Sequence, residues 1–213
     1  REICPHHGRN MTQRTVLIFA KPPRIGLSKT RLAASMGPAE ARRIASMTLA
    51  RTIRAARDPR WQTRLYAAPD SALGETLGGL WPARLPRWSQ GRGDLGARLQ
   101  RGLHSAPRGA VIFVGTDTPD ITSALIWQGF DLLRRHDAVF GPARDGGFWL
   151  FGIRKRGQAP DVFSPVRWSG PHAMSDLAAN LPAGTRTAHL PTLIDIDEAG
   201  DWRAWKDSHR KPG

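Results

Sequence analysis

The chain has 213 residues with 40% hydrophobic and 23% charged side chains, enough apolar material for one globular domain and too much for a disordered polymer. No run approaches the roughly 18 apolar residues of a membrane-spanning helix, and Cys4, alone, cannot form an internal disulfide. The net charge of +14 raises nucleic acid as a partner, but 27 of the 32 basic residues are arginines scattered along the chain, so a phosphorylated small ligand is the preferred reading.

Residues 1–14 read as a polar, flexible leader, with Met11 a candidate start. Cys4, His6 and His7 resemble zinc ligands but lack a matching second cluster. No apolar signal-peptide run precedes Met11, and a cytoplasmic location is the default expectation.

From Thr15 the pattern becomes regular. Residues 15–20 form a short apolar run of the kind that makes a strand buried on both faces. A Pro- and Gly-containing loop, 21–29, leads into a helix from Thr30, and Gly37-Pro38 punctuates it before a second helix over 38–57. Strands are predicted over 63–68, 84–88, 110–114, 138–142, 148–153 and 186–190. Helices are predicted over 70–78, 94–105, 121–135 and 169–180. The chain closes with Leu193-Ile-Asp-Ile-Asp197 as a last strand and a polar, tryptophan-containing tail over 203–213. Alternating strands and helices predict an α/β domain over 15–202: a three-layer α/β/α sandwich around a mixed, mostly parallel sheet.

In such sheets ligands bind beyond the carboxyl ends of the strands, and the polar motifs fall there. The first loop carries Lys21, Arg24, Lys29 and Arg31, with Gly26 permitting close backbone approach. Together these suit a diphosphate, although a solvated basic turn would look the same. The Walker spacing and the G-x-G-x-x-G fingerprint are both absent. Asp117, at the end of a buried strand, is the first choice to hold Mg²⁺ or Mn²⁺, which bind through one or two carboxylates plus substrate phosphates. A turn or capping role for Asp117 is the alternative, and Asp120 reads as the N-cap of the following helix. Arg144-Asp145-Gly146-Gly147 serves either close substrate approach or a hairpin. Asp195 and Asp197 alternate, which sends both carboxylates to one face and calls for a compensating cation. Of the eight tryptophans, Trp149 and Trp168 sit beside the cleft, with packing the expected role for each. The histidines are dispersed, and His172 and His189 read as surface or supporting residues.

Five segments in order resemble the DUF2064 family and, through it, glycosyltransferases and nucleotidyltransferases of the GT-A type. They are the 20–32 segment AKPPRIGLSKTRL, Gly93-Asp-Leu-Gly-Ala-Arg98, Gly115-Thr-Asp-Thr-Pro-Asp120, Gly141-Pro-Ala-Arg-Asp-Gly-Gly147 and the closing Asp-Ile-Asp. The resemblance implies a nucleotide-diphospho-sugar transferase fold, and one subgroup of the family is linked to arsenosugar biosynthesis. It implies that Lys21, Gly26, Lys29 and Arg31 hold the nucleotide phosphates, with Asp94 near the nucleotide or acceptor. Asp117 would hold the divalent metal, joined by Asp197, which aligns with the first Asp of a D-T-P-E-D ending in related nucleotidyltransferases. Glu198-Ala199-Gly200 stands where those relatives carry Thr-Pro-Glu. Asp145 would orient or deprotonate the acceptor hydroxyl, or support its neighbours. The expected function is metal-dependent sugar transfer from a nucleotide-diphospho-sugar to an unidentified small acceptor. The alternatives are nucleotidyl transfer with release of pyrophosphate, and non-catalytic binding of a phospholigand or nucleic acid.

Overall fold

The computed structural model describes residues 13–210, so the readings made for Cys4, His6, His7 and Met11 lie outside the described residues. Strand β1 (Arg14–Ala20) shows how the layers arise. Its side chains alternate: Val16, Ile18 and Ala20 join one apolar cluster, while Leu17 and Phe19 face a second on the other side. Strand β4 (Gly109–Val114) divides the same way, with Ile112 and Val114 on one face and Val111 and Phe113 on the other. A run apolar at every position is therefore a strand covered twice.

The covering helices follow from the same clusters. Helix α1 (Thr30–Met36) leads directly into α2 (Pro38–Ala56). Leu49 and Ile53 of α2 pack on the first face beside Ile126 and Phe130 of α4 (Ser123–Leu132). The second face is covered by Leu99 and Leu103 of α3 (Leu95–Ser105) and Leu177 of α5 (Ala173–Ala179). The remaining strands are β2 (Gln62–Ala67), β3 (Arg87–Ser89), β5 (Ala138–Pro142), β6 (Phe148–Lys155) and β7 (Thr187–His189). The sheet order is β3-β2-β1-β4-β6-β5-β7. Only β6 runs antiparallel to its neighbours, β4 and β5. The result is the expected mixed, mostly parallel sheet between helical layers. Because the chain moves outward from β1 to β3 and returns on the other side of β1 at β4, a crevice opens beyond the carboxyl ends of β1 and β4.

A third cluster fixes the end of the chain. Leu32 and Ile44 pack with Ile194, Ile196, Trp202 and Trp205, the last two on helix α6 (Ala199–Ser208). The domain boundary expected at Trp202 falls inside this helix, so residues 203–208 continue an element whose Trp205 is buried.

Other elements differ from the sequence reading for identifiable reasons. Residues 70–78 form two short 3₁₀ turns, Asp70–Ala72 and Leu77–Gly79, because positive φ at Leu77 (50°) and Gly78 (66°) breaks any longer helix. Asp120 is not a helix cap: Thr122 caps α4 through Leu125 N–H, while Asp120 accepts from the Trp205 indole N–H at 2.9 Å and pairs with His209. The 193–197 segment makes a single bridge, Ala143 to Leu193, rather than a full strand.

Lys155 ends β6 in the core, where its ammonium donates to the carbonyls of Leu103, His104 and Ala106 at 2.9, 2.6 and 2.6 Å. It thereby satisfies the open carboxyl end of α3. Lys155→Met keeps the apolar stem and strands those three carbonyls. The expected loss is about 1–3 kcal/mol, read as a lowered urea midpoint at constant slope; an unchanged midpoint would show that water replaces the ammonium.

Candidate functional site

The loop after β1 reaches the crevice through an αL residue, Lys29 (φ 53°), immediately before α1. That turn drives the Lys29 side chain inward until only 5% of it is exposed. Its ammonium lies 2.5 Å from Asp117 Oδ1 and 2.9 Å from Asp197 Oδ1, and also donates to the Ile196 carbonyl. Burial alone would lower the Lys29 pKa; the two carboxylates outweigh it and the net direction is upward.

The acids come from two segments laced together by backbone. Leu193 N–H donates to the Pro142 carbonyl at 3.1 Å, and Ile196 N–H to the Asp117 carbonyl at 3.0 Å. Ile194 and Ile196 point into the third cluster, so Asp195 and Asp197 face the crevice, as their alternation predicted. Asp201 holds the N–H groups of Asp197 and Glu198 at 3.0 and 2.8 Å, half of a capping box that fixes the acid at the mouth of α6. Asp195 accepts a hydrogen bond from the Thr118 hydroxyl. Burial, then the nearby charges of Asp117 and Asp145, push its pKa up to about 7 against the pull of Thr118 and Lys29.

Two adjoining cavities meet at Asp117 and Asp197. The larger, about 540 Å³, is lined by Lys21, Lys29, Arg31, Asp94 and Arg98 among others. The smaller, about 270 Å³, lies between aromatic rings and reaches Asp195. Of the predicted phosphate ligands, Lys21 lies exposed on the larger cavity, while Arg31 is engaged with Asp197 at 2.9 Å and Glu198 at 3.5 Å. Gly26 has φ +79° and shapes the loop without lining either cavity. Asp94 caps α3 through Ala97 N–H at 2.8 Å at the rim. Asp145 lines neither cavity; its carboxylate accepts from Gly147 N–H at 2.9 Å in the β5–β6 hairpin. Trp149 is buried, and Trp168 is a wall of the smaller cavity.

Sequence reasoning passed over three contributors. Gln90 is 4% exposed and spends its amide hydrogens on the Ala20 and Tyr66 carbonyls at 3.1 and 3.0 Å, so it offers a ligand only its oxygen. Ser28 lines the larger cavity with a buried hydroxyl that has no protein partner. Arg98 lines the same cavity from the first turn of α3. Arg98 and Ser28 fall inside the quoted 93–98 and 20–32 segments without having been singled out, and only proximity to the first of these signalled Gln90.

Two carboxylates converging on one cationic point, open to a cavity with further cations, fit a hard divalent ion completed by substrate phosphates. Among the described residues no cluster of three or more His, Cys, Asp or Glu forms a self-sufficient metal cage.

The family model DUF2064, described as "uncharacterized protein conserved in bacteria", matches residues 48–170. No curated protein matches the sequence significantly. A crystal structure from Desulfovibrio desulfuricans G20, provisionally described as a nucleotide-diphospho-sugar transferase, is 25% identical with a TM-score of 0.85, covering 95% of this chain and 90% of that one. The 4-diphosphocytidyl-2C-methyl-D-erythritol synthase of Anaerococcus prevotii DSM 20548 has a TM-score of 0.60 at 11% identity, over 93% and 99% of the two chains. Glucosyl-3-phosphoglycerate synthase of Mycobacterium tuberculosis, in complex with Mn²⁺, UDP and glucosyl-3-phosphoglycerate, has a TM-score of 0.54 at 10% identity, over 91% and 75%. The last two likenesses show the fold alone. The fold is that of GT-A nucleotide-sugar transferases, and no helix among the described residues is long and apolar enough to cross a membrane.

Lys29→Met should leave Asp117 without its ion-pair partner and Asp197 with Arg31 alone. Exposure of the two acids, 44% and 33%, keeps the penalty below that of a fully buried pair, about 1–3 kcal/mol. Adding Asp197→Asn should recover part of it, and a double-mutant cycle by chemical denaturation reads that coupling. Strictly additive losses would mean that the ammonium does not bind the two acids together.

Proposed function

The chain belongs to the DUF2064 family, and from that premise we propose that it is a glycosyltransferase that takes its sugar from a nucleotide-diphospho-sugar with Mg²⁺ or Mn²⁺ as cofactor. The carrying observation is the division of the crevice: a cationic cavity and an aromatic one meet at a pair of acids. That arrangement suits an anionic donor on one side, an acceptor on the other, and bond exchange where they touch.

In this reading Asp117 and Asp197 hold the divalent ion. When bound, it neutralises the diphosphate that leaves as the sugar is transferred. Lys29 and Lys21 supply fixed positive charge toward the phosphates, and Arg31 and Arg98 flank them. The unpartnered Ser28 hydroxyl donates to the same group. Gln90 presents its amide oxygen to an N–H donor of the nucleotide. Asp94 shapes the cavity by fixing the start of α3. Asp145 is a positioning residue, since it braces the turn whose Gly147 lines the acceptor side. The cationic surface raises the local concentration of the anionic donor.

The test is a thermal-shift screen of nucleotides and nucleotide sugars, each with Mn²⁺, Mg²⁺ or EDTA. A donor at about a hundred times its Kd adds about 2.7 kcal/mol, which raises Tm by roughly 5–10 °C for a chain of this size. The expected result is a shift with one nucleoside diphosphate-sugar that EDTA abolishes. A shift with a nucleoside triphosphate only, with pyrophosphate released on turnover, would replace this reading by nucleotidyl transfer.

Asp117→Asn supplies the second test. It should lose at least about a hundred-fold in kcat, on the scale of deleting one electrostatic catalytic group, while melting within a few degrees of the parent. Unchanged turnover in this variant would remove Asp117 from the catalytic site, whereas full nucleotide binding without turnover in the parent itself would reduce the protein to a binder.

A further inference from the structure

The two cavities differ in charge far more than in position. Lys21, Lys29, Arg31 and Arg98 line the larger one. Among the described residues no lysine, arginine or histidine lines the smaller one, although Asp117, Asp195 and Asp197 all reach it. The cations paired with those acids, the Lys29 ammonium between Asp117 and Asp197 and the Arg31 guanidinium on Asp197, both line the other cavity. An anionic group entering the smaller cavity would lose its water and meet carboxylates with no donor cation to replace it.

Its walls are rings. Phe148 and Trp168 meet edge to face with centroids 6.3 Å apart, and Phe19 and Phe113 lie 5.9 Å apart across the β1 and β4 strand ends. Leu95, one of two exposed large hydrophobic residues among those described, forms the lip between the cavities and lines both. The volume of about 270 Å³ lies below the usual range of drug-sized pockets, which starts near 300 Å³. Apolar walls around a floor of hydrogen-bond acceptors suit a ring with C–H faces and hydroxyl edges.

We infer that the smaller cavity is an acceptor subsite for a compact, uncharged hydroxylated ring, a saccharide or similar polyol that carries no phosphate or carboxylate. This rests on the transferase reading for its role in turnover, but the binding preference stands on the cavity alone.

Saturation-transfer NMR with a panel of methyl hexopyranosides and pentopyranosides, beside the corresponding sugar phosphates and uronates, tests the inference on the unmodified protein. At least one neutral glycoside should bind about ten-fold or more tightly than its anionic counterpart, a difference of about 1.4 kcal/mol. Trp168→Ala and Phe148→Ala should each weaken it roughly five- to ten-fold. Trp168→Phe should retain most of the binding, and the melting temperature checks that each variant folds.

Equal or tighter binding of the phosphates or uronates would overturn the inference. So would the absence of binding by every neutral glycoside, or binding unaffected in folded alanine variants. Failure of nucleotide sugars to bind, with the glycoside preference intact, would instead sink the transferase reading and leave the subsite standing.

Discussion

One ammonium group organises this molecule's crevice. Three aspartates arrive there from two stretches of chain almost eighty residues apart in sequence, and like charges so close would drive the segments apart without a counter-ion. Lys29 supplies it from a third segment, and its αL backbone is what turns the side chain inward. The electrostatic tie is backed by a covalent-chain logic. Ile196 gives its N–H to the Asp117 carbonyl, and its side chain anchors the third apolar cluster. Thus the packing that buries Trp202 and Trp205 also sets the distance between the acids.

The same contact would make the proposed site responsive to its ligands. A divalent ion and a lysine ammonium compete for the same carboxylate oxygens, while a diphosphate attracts both cations. In the present arrangement the acids neutralise Lys29, and the phosphate-facing charge available to a ligand is correspondingly smaller. A donor entering with its own divalent ion would free the lysine for the phosphates. Under the proposed reading, ion and donor would then favour each other, the reciprocal coupling expected of linked equilibria.

What the sequence disclosed and what it withheld follow from the range of the forces involved. Buried strands such as 15–20 and 110–114 announce themselves because each residue meets apolar packing on its own face, and the polar motifs at their ends then mark the crevice. The alternation of Asp195 and Asp197 held even without a strand ladder, since Ile194 and Ile196 fix it from below. Long-range partnerships left no local mark. Nothing near Asp120 signals a tryptophan eighty-five residues on, so its bond to Trp205 displaced the capping role that position alone suggested. Likewise Gln90 reads as a loop residue until its amide is seen bridging the ends of β1 and β2.

Part of the arginine surplus is explained when it is read with the tryptophans rather than alone. Arg14 and Arg60 both stack over Trp127 at 4.7 Å, Arg64 lies over Trp88 at 4.9 Å, and Arg51 over Trp205 at 5.2 Å. Each guanidinium covers an aromatic face that helices and strands leave half open, a use that lysine serves less well because its charge is more strongly hydrated. These arginines brace the sandwich at separate places. The cations placed to meet an anionic ligand are instead the few lining the larger cavity, beside a neighbouring cavity lined by none among the described residues. Net charge thus describes the chain as a whole, whereas the proposed selection between donor and acceptor would depend on how that charge is partitioned between two adjoining cavities.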